Sequence, residues 1–207
     1  MAEFDIKRLF KNHIQKATRY NPTAILESLY EDGLTFARMM GNESPYPPSP
    51  KVFEAISKTY EKVGWYPDSS NLGLKKAISG YTSFNEENII VGNGSFEIID
   101  IIYEGFIDKG DEAVIPIPSY SPYLIRLDLF GGKPVCVEMR EDLGWDTDDI
   151  SKAISSRDAK LLVLASPNNP TGLTAPRENI ERMLEEEIIL ILDEAYFEFS
   201  DQSLVSL

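Results

Sequence analysis

The chain has 207 residues, 43% of them hydrophobic and 26% charged. That balance excludes disorder as the main state and fits one large domain, or one domain with a small appendage. A formal charge of −14 argues against nucleic acid and against an anionic membrane surface, since both need clustered Lys and Arg.

His13 and Cys136 stand alone as histidine and cysteine, which argues against a zinc site and excludes an internal disulfide. Residues 4–17 read as a helix with a weak apolar stripe of Phe4, Leu9, Phe10 and Ile14, on which His13 is a solvated residue. The first ten residues carry no apolar core of signal-peptide length, and no run approaches membrane-spanning length. A cytoplasmic, reducing location is therefore expected. Leu34 to Met39 reads as a strand. Residues 41–50 hold Pro45, Pro47, Pro48 and Pro50 and must be an extended loop. Ser49 then caps a helix with Pro50 in its first position, on a stripe of Val52, Phe53, Ile56, Tyr60 and Val63. After the turn Gly64-Trp65-Tyr66-Pro67, a further helix is expected from Leu72 to Ser83.

From Asn85 onward, short apolar runs alternate with helical patterns. The runs Asn88–Val91, Ala113–Ile117, Val135–Val137, Leu161–Ala165 and Ile188–Leu192 read as buried strands. Cys136, inside one of them, reads as a core residue. Helices are expected over 95–108, from Pro122 to Gly131, over 147–155 and over 176–187. The first of these carries one narrow polar stripe (Glu97, Asp100, Glu104) and should be largely buried. The fold class is thus α/β: a mainly parallel sheet covered by helices on both faces, with an N-terminal arm. A soft boundary is placed near residue 45.

Ligands of such sheets bind outside the carboxyl ends of the strands. After the first run comes Gly92-Asn93-Gly94-Ser95, a tight turn into a helix whose free N–H groups attract an anion, above all a phosphate. A plain glycine turn with a serine cap is the alternative. After the second comes Pro116-Ile117-Pro118-Ser119-Tyr120-Ser121-Pro122-Tyr123, an exit held rigid by prolines, with an aromatic ring that can stack on a flat ligand or simply cover the sheet end. After the fourth comes Ser166-Pro167-Asn168-Asn169-Pro170-Thr171-Gly172, seven turn-formers that also present carboxamides. The fifth runs straight into Asp193-Glu194-Ala195-Tyr196, a carboxylate at the core edge that serves either as a helix cap or as the counter-ion of a cationic ligand. A planar, phosphorylated, cationic heterocycle would use all four features, and pyridoxal phosphate is that molecule.

In order and spacing, these segments resemble the fold-type I pyridoxal-phosphate aminotransferases of class I/II. Asn42-Glu43-Ser44-Pro45-Tyr46 with Pro48-Ser49, and Trp65-Tyr66-Pro67-Asp68, resemble the histidinol-phosphate branch. The resemblance runs from about residue 34 to the end. It implies pyridoxal 5′-phosphate as cofactor. Asp193 would bond the pyridine nitrogen, Asn169 and Tyr196 the 3-oxygen, and Tyr120 would stack on the ring. Gly94, Ser95 and the backbone N–H of Phe96 would hold the phosphate. Tyr66 would reach the phosphate of the other subunit of a homodimer. Residues 46–207 would be part of the cofactor-binding large domain, and residues 1–45 the arm and the start of the small domain. Phe96 stands where the branch commonly has Asp, and Ser44 and Pro48 stand where Asn and Gly are usual.

The family's Schiff-base lysine follows the Asp-Glu-Ala-Tyr segment, whereas the last lysine here is Lys160. The chain is therefore expected to be the N-terminal part of a longer enzyme. In the family's strand order, the absent strands lie between the first and fifth runs, which would leave residues 88–91 without a neighbour and the sheet with open edges. The implied reaction passes an amino group between an amino-acid-like donor, best histidinol phosphate, and a 2-oxo acid, best 2-oxoglutarate. A lyase on the same scaffold, such as a threonine-phosphate decarboxylase, is the close alternative. A non-catalytic fragment that only binds cofactor or dimerises is the alternative from another class.

Overall fold

The computed structural model describes residues 9–17, 29, 37, 39–200, 203–205 and 207. The chain divides into two compact units, one of Met1–Thr18 with Ile90–Leu207, the other of Arg19–Ile89. Residues 4–8 of the expected first helix, and most of the expected strand from Leu34 to Met39, lie outside the described residues.

The first unit holds a four-stranded sheet of β1 (Glu112–Ile117), β2 (Lys133–Glu138), β3 (Leu161–Ala165) and β4 (Ile189–Asp193). The order is β2-β1-β3-β4, and every described pair is parallel. Helices α4 (Gly94–Phe106), α5 (Pro122–Phe130), α6 (Thr147–Arg157) and α7 (Arg177–Leu184) alternate with the strands, and α1 (Asn12–Lys16) belongs to the same unit. Period-two alternation sends side chains to two separate cores. On one face Val114, Leu162 and Leu164 pack with Ile150 and Ile154 of α6 and Ile180 and Met183 of α7. On the other, Ala113, Ile115, Leu161, Val163 and Ala165 pack with Ile99 and Tyr103 of α4 and Tyr123 and Leu127 of α5. β3 is buried at all five positions because it is central and covered on both sides. The sheet covered on both faces is therefore as the apolar runs predicted.

Three expectations fail, the first at the chain boundary of the two units. Residues 88–91 form no strand: Glu86–Asn88 is a 3-10 turn, and the extended Ile89 (φ −113°, ψ 125°) enters no ladder. An apolar run favours extended backbone, but only a neighbouring strand makes it part of a sheet. Cys136 is exposed, not core. It lies on the edge strand β2, where the alternation buries Val137 and turns the residue before it outward. α4 buries only Ile99 and Tyr103, while Ile101 and Phe106 stay exposed. Its apolar side faces an open groove of about 550 Å³ beside the edge strand β4, walled by Ile98, Ile102, Phe106 and Ile189–Leu192.

The second unit contains α2 (Pro50–Thr59) and α3 (Leu72–Thr82). Ser49 accepts from the Lys51 N–H at 3.4 Å with Pro50 in the first turn, as its sequence requires. The stripe of Val52, Phe53, Ile56, Tyr60 and Val63 is present but exposed throughout. Neither α2 nor α3 buries a residue.

Candidate active site

The pairing register sets the site. Ala165, the last residue of β3, pairs with Asp193, the last of β4, so both strands deliver their exits at one level. A small cavity of about 90 Å³ opens there. It is lined by Ser95, Tyr120, Tyr123, Ala165, Asn169, Asp193, Ala195 and Tyr196. Ser95, Tyr120, Asn169, Asp193 and Tyr196 thus meet in one place from four separate segments of the chain. Ser95, Asp193 and Ala195 also border the larger groove, so the two spaces adjoin.

The approach to α4 depends on two glycines. A Cβ on Gly92 would stand 2.9 Å from the Ile98 Cδ1, and Gly94 sits at φ +77°. A side chain at Gly94 would be strained by that φ, whereas one at Gly92 would need only the end of the Ile98 side chain to give way. The Glu97 carboxylate accepts from the Asn93 N–H at 2.5 Å and from its Nδ2 at 2.9 Å. The Gly94 N–H donates to the Gly92 carbonyl at 2.9 Å, whereas those of Ser95 and Phe96 begin the helix, where intrahelical acceptors are lacking and an anion is favoured. The Phe96 side chain takes another direction: its ring lies 5.2 Å from the Arg126 guanidinium.

Asp193 is half-buried, and both its oxygens are engaged. Oδ1 accepts from the Ala195 N–H at 3.0 Å and Oδ2 from the Tyr123 hydroxyl at 2.8 Å. Burial, then the Asp193 charge, push the Tyr123 phenol far above its ordinary value of 10. Tyr123 therefore remains a protonated donor. Sequence reasoning included this residue in the exit from the second run but gave it no role. The signal was there in Tyr120-Ser121-Pro122-Tyr123, where a second ring follows one turn after the first.

The two asparagines of the Ser166–Gly172 turn divide their roles. Asn168 is buried and structural, donating to the Pro118 carbonyl at 3.1 Å and to Thr171 Oγ1 at 3.0 Å. Asn169 faces the cavity. Tyr66 lies in the other unit with a fully exposed side chain. Its loop is fixed by Asp68, which accepts from the N–H and hydroxyl of Ser70 and from the Leu72 N–H.

Among the described residues, no lysine lines the cavity. Lys160 precedes β3, at the opposite end of the sheet from Ala165 and some 16 Å away for a strand of that length. There it bonds Asp111 Oδ2 at 2.5 Å and the Phe106 carbonyl at 3.3 Å. Among the described residues, no group of His, Cys, Asp and Glu could hold a metal ion, and no helix is long and apolar enough to cross a membrane.

A two-sided parallel sheet that gathers a helix start, a ring, an amide and a carboxylate at its carboxyl end is an α/β scaffold with a candidate ligand site at the strand ends. Residues 38–206 match the family Aminotransferase class I and II, and the chain belongs to that family. It is 36% identical over 210 residues to the histidinol-phosphate aminotransferase of Roseiflexus castenholzii, covering 98% of this chain and 57% of that protein. It is 34% identical over 205 residues to the protein of that name from Methanosarcina barkeri, covering 96% and 56%. The chain spans about half the length of these curated relatives. The solved histidinol-phosphate aminotransferase of Sinorhizobium meliloti, a complex with pyridoxal-5′-phosphate, superposes with a TM-score of 0.84 at 28% identity over 96% of this chain and 53% of that one.

Proposed function

We propose that these residues are the cofactor-binding part of a pyridoxal-phosphate-dependent aminotransferase. The observation that carries this reading is the meeting of Ser95, Tyr120, Asn169, Asp193 and Tyr196 around one cavity. The donor set fits the group: a carboxylate for a cationic ring nitrogen, an amide and a phenol for a ring oxygen, an aromatic face, and a helix start for a phosphate. When bound, the cofactor supplies an electron sink for the substrate's α-carbon. Asp193 would keep the ring nitrogen protonated. Asn169 and Tyr196 would orient the ring, Tyr120 would cover one face, and Gly94, Ser95 and the Phe96 N–H would anchor the phosphate.

For the whole protein, we propose residues 46–207 as part of the large domain and residues 1–45 as the arm and the start of the small one. The active form would be a cytoplasmic homodimer to which Tyr66 contributes across the interface. Given its relatives, the proposed amino donor is histidinol phosphate and the acceptor 2-oxoglutarate. A second reading applies to these 207 residues alone: they bind cofactor without turnover. It is favoured by the absence of lysine among the described residues of the cavity lining and by the place of Lys160 at the far end of β3.

The test titrates pyridoxal phosphate into this chain and assays the full-length protein for transfer between histidinol phosphate and 2-oxoglutarate. Weak, phosphate-dependent binding to the chain and transamination by the full-length protein are expected. No binding to either form would overturn the cofactor reading. Transfer from other donors alone would overturn the substrate.

A further inference from the structure

We infer that Tyr123 is a positioning residue that holds the Asp193 carboxylate toward the cavity and braces Tyr120 beside it, an inference that rests on the cofactor site proposed above. Tyr123 stands in the first turn of α5 and is 2% exposed. Its hydroxyl reaches across to β4 and donates to Asp193 Oδ2 at 2.8 Å. Its backbone N–H donates to the Tyr120 carbonyl at 3.0 Å. Its ring meets that of Tyr120 edge-on, with centroids 5.4 Å apart and planes at 84°. Its own carbonyl accepts from the hydroxyl of Tyr103, a fully buried residue of α4, at 3.3 Å. One side chain and its peptide groups therefore join α4, α5 and the end of β4.

The chemistry explains why a donor is needed there. An ionised carboxylate only accepts, and its two oxygens offer about four lone-pair positions. The Tyr123 hydroxyl and the Ala195 N–H occupy one position on each oxygen. Both donors come from the protein, so the carboxylate is fixed in one orientation with capacity left for a cationic N–H in the cavity. A carboxylate without the phenol would turn toward solvent through the adjoining groove, and its alignment would be lost before any ligand arrived. The groups that face the phenol are Asp193, Tyr120 and Tyr103, with Asp193 the one carboxylate that acts on it.

The test uses the 207-residue chain and pyridoxamine 5′-phosphate, a probe that needs no lysine. Affinity is read by calorimetry for the wild type and for Tyr123→Phe, with far-UV spectra and denaturation midpoints alongside. Tyr123→Phe should bind about tenfold more weakly, the scale of one oriented hydrogen bond, while phosphate-only binding of inorganic phosphate stays unchanged. Equal pyridoxamine phosphate affinity in both proteins would overturn the positioning role alone. A wild type that binds no probe would overturn the site and the role together.

A second measurement needs no cofactor. Urea denaturation of Tyr123→Phe, Asp193→Asn and the double variant closes a cycle in which the two changes should be clearly non-additive, as expected of side chains in direct contact. Strict additivity would show that the phenol and the carboxylate do not act on each other, and would overturn the inference.

Discussion

The side-chain amide of Asn168 donates to the backbone carbonyl of Pro118 across 3.1 Å, fastening the loop after β3 to the loop after β1. The same residue closes its own turn. Its N–H donates to the Leu173 carbonyl at 2.8 Å, and its carbonyl accepts from the Gly172 N–H at 2.7 Å. The residues that follow these anchors, Asn169 and Tyr120, are the ones that line the cavity. Fixing two loops to each other is how a flexible-looking run of turn residues becomes a rigid wall.

Replacing Asn168 with Ala should therefore destabilise the chain by about 1–3 kcal/mol, since it removes two buried hydrogen bonds and leaves the Pro118 carbonyl without this donor. Urea denaturation measures it. A change within about 0.5 kcal/mol, typical of a surface substitution, would show that the tie holds nothing.

Asp193→Ala in the full-length protein should lower transamination by several orders of magnitude, because a ring without a protonated nitrogen is a poor electron sink. Single-turnover kinetics with a bound amino donor provide the measurement. A near-normal rate would remove Asp193 from the proposed chemistry.

Arg126 binds both carboxylate oxygens of Asp100, from Nε to Oδ1 at 2.6 Å and from Nη2 to Oδ2, and so joins α5 to α4. Its guanidinium also lies over the rings of Phe96 and Phe130, at 5.2 and 5.8 Å. Lysine keeps the charge but loses the planar fork and the stacking. Arg126→Lys should cost about 1–2 kcal/mol. A double-mutant cycle with Asp100→Asn should return most of that as coupling. Strict additivity would show the pair to be idle.

The Asp111–Lys160 pair gives a pH signature. The hydrogen bond from Lys160 holds the Asp111 carboxyl below its ordinary value of 3.8, so its contribution is present above that value and is lost as pH falls through the lowered one. The bond to Asp111 raises the Lys160 ammonium above 10.5, so its contribution is present below that value and is lost as pH rises through the raised one. The stability difference between wild type and Lys160→Met should be flat at neutral pH and shrink at both extremes, leaving in acid only what the bond to the Phe106 carbonyl contributes. A difference unchanged from neutral pH to strong acid would refute the pairing. The same variant should leave pyridoxal phosphate binding unchanged, because Lys160 stands at the far end of β3 from the cavity.

Much of the architecture was legible in the chain. Leu161 to Ala165 is apolar at every position, and only a central strand covered on both faces has use for that. The turns that follow the strands also declared themselves, because glycine, proline and asparagine are placed by local backbone demands that need no distant partner. The sequence alone therefore determined the parallel sheet, its helical cover and the segments from which the cavity is drawn. It could not settle what depends on neighbours. Cys136 falls on the open side of an edge strand, and α4 faces a groove where burial was expected. Nor could it show that Tyr123 meets Asp193, 70 residues further along the chain. Only the register of β3 on β4 and the packing of α5 bring that hydroxyl and that carboxylate to one point. The physical reason is that propensity acts over a few residues, whereas pairing, burial and the meeting of side chains distant in sequence are properties of the assembled sheet.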